Sequence, residues 1–166
     1  MKLNLNWDYT WANILNGAII YSIGDSIAAL VLADFSIYRL VGIMLVGGTF
    51  YALEIPNYFR WIDSQIADSG NLLDSVKRTM LAMLYFNPVW IARHLFFIYL
   101  FSGNWHQMSW ALITVSIWSF VVNIPISLLG NHIIQNKLPY HWRFFGSSVF
   151  SGLLAIYYAF SEVFFG

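Results

Sequence analysis

Residues 108–130, MSWALITVSIWSFVVNIPISLLG, contain no Asp, Glu, Lys or Arg. A run of roughly 20 apolar residues is what an α-helix needs to cross the hydrocarbon core of a bilayer. A helix at the surface of a soluble domain would carry charges along its outward face, and here that face is bare. Four other runs approach the same pattern, so the sequence predicts spans over residues 11–32, 40–58, 79–101, 108–130 and 142–165. The expected fold is an all-α integral membrane protein, a bundle of about five transmembrane helices forming one membrane domain over residues 1–166. Composition agrees: 10% of the chain is charged, against about 25% in soluble domains.

Basic residues orient the bundle, because cytoplasmic flanks carry the excess of Lys and Arg. With five spans, Lys2, Arg60, Lys77, Arg78, Lys137 and Arg143 share one side, whereas Arg39 stands alone on the other. The N-terminus is therefore expected inside and the C-terminus outside. Trp7, Trp11, Trp61, Trp105, Trp110 and Trp142 fall at or beyond the span ends, as an interfacial belt requires. The first span carries Asn13, Asn16 and Asp25, a poor fit to a cleavable signal peptide, and the N-terminus lacks the look of a mitochondrial presequence. The expected location is the bacterial cytoplasmic membrane, with a mitochondrial inner or peroxisomal membrane as the alternative.

A formal net charge of +0 without a basic stretch leaves nothing for nucleic acid to bind. The absence of cysteine excludes disulfides, thiol catalysis and iron–sulfur clusters. His94, His106, His132 and His141 have no metal-binding spacing, and no nucleophile–base set or phosphate loop stands out. The reading is of a protein that is not an enzyme and takes no cofactor or metal. Its expected partners are the lipid bilayer, a small polar solute, and further copies or other subunits of a membrane complex.

Intramembrane polar residues are the candidates for function, since each is costly in hydrocarbon. Asp25 and Arg93 both lie about 20 Å from the inner edge at 1.5 Å per residue, which predicts an ion pair between them. That pair either fixes helix packing or forms a charged constriction in a solute path. His94 follows Arg93 directly. Glu54, Asn57, Asn87 and Asn123 lie at inner depths and are expected either to line a polar vestibule or to hydrogen-bond between helices. Pro56, Pro88 and Pro125 predict kinks. Gly47-Gly48, and Ser147-Ser148 with Ser151-Gly152, are small patches suited to close helix packing. Residues 59–78 form the longest connection, with a short surface helix expected after Ser69-Gly70.

AIIYSIGDSIA near the N-terminus, VKRTMLAMLYFNPVWIARHLFFIYLFSG in the middle and LPYHWR later resemble the Mpv-seventeen and peroxisomal twenty-two-kilodalton membrane protein family. The matching positions are Gly24 and Asp25 in the first span; Lys77, then Pro88 eleven positions on, then Gly103; and Pro139, Trp142 and Arg143, with Tyr157 as a later aromatic. Ala28-Ala29 and Leu154 depart from the family pattern, and Arg93-His94 has no counterpart in it. The resemblance implies a small integral protein that forms a pore for small solutes. The expected function is thus a small-solute channel or facilitator, with Asp25, Arg93 and Glu54 on its path. The alternatives are a structural or assembly subunit of a larger membrane complex and, third, a coupled secondary transporter.

Overall fold

The computed structural model describes residues 7–67 and 70–165, with side chains as far as Tyr157. Lys2, Ser69 and the side chains beyond Tyr157 lie outside that description. The described residues are helical throughout, without a strand, in the order α1 (Trp11–Val31), α2 (Ile37–Val46), a π-helical turn (Gly47–Tyr51), α3 (Ala52–Gln65), α4 (Leu72–Tyr85), α5 (Pro88–Ser102), a 3-10 turn (Trp105–Gln107), α6 (Ala111–Asn136) and α7 (Tyr140–Phe165). Four stretches are long and apolar enough to cross a membrane: Trp11–Val31, Ile37–Gln65, Leu72–Ser102 and Ala111–Asn136.

Local chemistry sets these limits. Thr10 caps α1 by accepting from the Asn13 amide, and Asn71 caps α4 by accepting from that of Asp74. The α4–α5 stretch breaks at Asn87-Pro88. Asn87 accepts from the Val89 and Trp90 amides, and Pro88 occupies the first turn of α5, where its missing N–H costs nothing. Gly103 ends α5 in the left-handed conformation, φ 74°, which a side chain would strain. Pro56 and Pro125, by contrast, lie inside α3 and α6.

Several expected boundaries move. Helices α2 and α3 run on through the π turn to Gln65, and α4 begins at Leu72, so the connection shrinks to residues 66–71. The helix expected after Gly70 exists, but it leads directly into the third apolar run rather than lying as a separate surface element. Charged residues had read as loop there because the polar face of α4 faces other helices: Arg78 is 1% exposed.

Glycines govern the tightest packing. A Cβ on Gly24 would lie 2.6 Å from the Cα of Gly152, so α1 and α7 touch backbone to backbone. Gly17 meets the Gly47 carbonyl in the same way, seating α1 on the π turn. The core behind these contacts joins Tyr21, Ile43, Tyr51, Ile55, Phe59, Ile62 and Phe144. Helices α5 and α6 pair with each other and leave a gap between themselves and the α1–α7 pair. Every tryptophan assigned to the interfacial belt is exposed, Trp110 by 86% and Trp11 by 79%.

Candidate functional site

The gap is a cavity of about 700 Å³ bounded by α1, α5, α6 and α7. Roughly twenty waters would fill that volume at ~30 Å³ each, so it is a chamber and not a packing defect. One wall is a ladder on α6. Ser119, Asn123, Ser127 and Asn131 recur every fourth residue and all line the cavity, spanning roughly 18 Å of helix. Asn123 and Asn131 each donate one Nδ2 hydrogen to the carbonyl four residues back, of Ser119 at 2.6 Å and of Ser127 at 2.9 Å. Each carboxamide keeps its oxygen and a second N–H for other partners. Ser147 and Ser151 of α7 add hydroxyls.

Aromatic rings form much of the remaining lining. Tyr21, Phe86, Trp90, Phe120 and Phe150 all reach the cavity. The His94 ring stacks on Trp90, with centroids 5.5 Å apart and planes 8° from parallel, while its Nδ1 lies 2.9 Å from the Tyr51 hydroxyl. Trp90 Nε1 is buried without a partner among the described residues.

Charge gathers where α1 turns into α2. Arg39 donates from Nε to Asp25 Oδ2 at 2.8 Å and from Nη2 to Oδ1 at 2.7 Å, and its Nη1 reaches Asp34 at 2.8 Å. The predicted Asp25–Arg93 pair does not form. Equal depth was a sound argument for Asp25 but named the wrong arginine. The turn after Val31 folds α2 straight back along α1, so Arg39 in the first turn of α2 is buried and reaches Asp25. Arg93 instead forms a forked pair with Glu54, at 3.0 and 2.7 Å, to which the Tyr85 hydroxyl also donates at 2.7 Å. Both side chains remain one-third exposed and neither lines the cavity.

The four residues expected to share a vestibule are dispersed. Asn123 lines the cavity, Asn87 caps α5, and Glu54 holds Arg93. Asn57 accepts from the Asp8 amide. The carboxylate of Asp8 takes the Tyr140 hydroxyl at 2.7 Å and pairs with Arg60 at 3.0 Å, tying the N-terminal segment to α3 and α7.

Among the described residues the lining on α6 extends no further than Asn131. Gln135, one rung below Asn131, is fully buried, and both its Nε2 and Oε1 lack partners among the described residues. Its carbonyl accepts from Arg78 Nη2 at 3.0 Å. The same Nη2 meets Asp63 Oδ1 at 2.7 Å, and Arg143 Nη1 grips both Asp63 oxygens at 2.6 and 2.8 Å. Arg143 also donates from Nε to the Leu138 carbonyl at 3.1 Å. One carboxylate thus joins α3, α4 and α7, with α6 held through its backbone.

The residues of the family resemblance acquire physical roles here. Gly24 permits the α1–α7 approach, Asp25 holds Arg39, Pro88 starts α5, Gly103 ends it and Arg143 grips Asp63. The Pro139 carbonyl accepts from the Trp142 amide, whereas Lys77 is half exposed and pairs with Asp74. Sequence reasoning had missed Ser119, Ser127, Asn131, Gln135 and Asp63. The fourfold spacing on α6 was the available signal for the first four. Compared with family models, with curated proteins and with solved structures, the chain matches none.

An Asp25→Asn variant keeps the shape but removes the counter-charge, leaving buried Arg39 with only the half-exposed Asp34. It is expected to lose about 2–3 kcal/mol of stability, read as a lower Tm in detergent, whereas Asp34→Asn loses less than about 1 kcal/mol.

Proposed function

We propose that this protein is a small-solute channel or facilitator whose path is the cavity between α1, α5, α6 and α7. The observation that carries the proposal is the α6 ladder facing a chamber of about 700 Å³. Polar groups at membrane depth are costly unless they face protein or a polar cavity. A rung every turn exceeds what one interhelical contact needs. In this reading the bundle has five spans with the N-terminus inside, supported by the six-to-one distribution of basic residues. The Asp25–Arg39–Asp34 cluster then flanks the outer mouth, and Gln135 with the Asp63 cluster closes the inner end. Asp25, His94 and Asn123 lie on the path, whereas Glu54 and Arg93 lie off it. The likeness to the Mpv-seventeen family fits this reading, and the basic bias suits a bacterial cytoplasmic or an organellar inner membrane.

The test is reconstitution into liposomes followed by osmotic shock with a panel of small solutes. Reswelling faster than in protein-free vesicles is the expected result. Indistinguishable rates for every solute, with the protein verified as folded, would contradict it.

One observation favours the second reading, a subunit of a larger assembly. The Glu54–Arg93 pair is one-third exposed outside the cavity, where a neighbouring protein would shield it better than lipid. A reproducible stoichiometric partner, lost on Arg93→Ala, would support that reading.

A further inference from the structure

The lining also restricts what can occupy the cavity, given that it is a conduit as proposed above. Both oxygens of Asp25 are engaged by Arg39, whose remaining terminal nitrogen is held by Asp34. Past the half-exposed Asp34 at the mouth, a cation between α1 and α6 therefore meets no free carboxylate, and an anion meets no free guanidinium. Asp34 leaves the mouth with one surplus negative charge, which further repels anions. Among the described residues no other Asp, Glu, Lys or Arg lines the cavity. Along the neutral ladder beyond the mouth, an ion would surrender hydration without a compensating charge.

What the walls do offer is repeated and neutral. Ser119, Asn123, Ser127 and Asn131 present hydroxyls and carboxamides at intervals of about 6 Å, each able both to donate and to accept. The rings of Tyr21, Trp90, Phe120 and Phe150 supply flat apolar surface alongside. A ligand matching this lining has no charge, carries hydroxyls along its length and exposes C–H faces between them. We infer that the cavity takes neutral polyhydroxylated solutes, linear polyols or monosaccharides, in preference to ions. The volume suits them, since small-molecule sites run from about 300 to 1,000 Å³.

Proteoliposomes loaded with buffer are shocked with ribitol, sorbitol or KCl, and reswelling is followed by light scattering. Ribitol is expected to enter at least fivefold faster than through protein-free vesicles, with K⁺ and Cl⁻ flux near the background. The double variant Ser119→Ala/Ser127→Ala, which removes two hydroxyls with little change in packing, is expected to slow ribitol at least threefold. Asn123→Leu is expected to slow it more, and lipid-facing Val122→Ala to leave it unchanged. Salt flux equal to or above ribitol flux would overturn the polyol assignment while leaving the conduit in place. Ribitol flux insensitive to the serine pair and to Asn123→Leu would overturn the ladder as the recognition surface. If neither ribitol nor salt passes through folded protein, the conduit itself fails.

Discussion

An Asp63→Ala variant is expected to lose about 3–5 kcal/mol of stability, because it strands two buried guanidinium groups. The side chains of Arg78 and Arg143 are 2% and 6% exposed, and Asp63 is the only carboxylate either one meets among the described residues. After its removal Arg78 keeps the Gln135 and Ile66 carbonyls and Arg143 keeps that of Leu138, which are dipoles and not counter-charges. The Asp63 side chain is about one-third exposed, so water entering the gap places the loss toward the lower end of that range. Thermal unfolding in detergent reads the effect, with Asp34→Ala as the exposed control. If the two variants melt together, the Asp63 cluster does not hold α3, α4 and α7 together as described.

The second large effect is on flux. Gln135→Ala is expected to raise solute flux about tenfold while leaving stability unchanged or improved. The Gln135 side chain occupies the next rung below Asn131, where the lining on α6 ends, and its amide is buried with neither polar atom satisfied among the described residues. An unsatisfied buried amide costs about 1–3 kcal/mol, so its removal relieves a penalty. Alanine also has the highest helix propensity, so α6 is preserved. Extending the cavity toward the inner face lowers the barrier there, and liposome reswelling measures the gain. Unchanged flux together with raised stability would mean that Gln135 does not close the path. A large fall in stability would mean that its amide is satisfied in the membrane.

How much of the molecule was visible in the sequence depended on whether a property is local. Charge-free runs marked the long helices, because the bilayer sets their length and composition. Asn87-Pro88 and Gly103 marked the limits of α5 through capping chemistry that works within a few residues. Arg39 was misplaced because it lies just beyond an apolar run and reads as a loop charge. Only the tight turn between α1 and α2 buries it beside Asp25. Asp63 was hidden in the same manner, as one acid in a polar stretch whose partners are 15 and 80 residues away. The ladder was legible but is easily passed over, because α6 averages as uniformly apolar and each of its serines is ordinary by itself. Ser119, Asn123, Ser127, Asn131 and Gln135 stand four apart, and the helical period makes each a neighbour of the next along a ridge that slants round the helix.

The chain has no cysteine, so single cysteines can be introduced into an otherwise silent background. The most direct measurement is therefore a cysteine scan along α6 in membranes, reading labelling by a small, uncharged, polyhydroxylated, membrane-impermeant thiol reagent added from the outer side. The account predicts rapid labelling at Ser119→Cys, Asn123→Cys and Ser127→Cys, and protection at the lipid-facing positions Val122→Cys and Leu129→Cys. Protection along the whole ladder, or labelling on the lipid face instead, would contradict the claim that α6 lines a solute path.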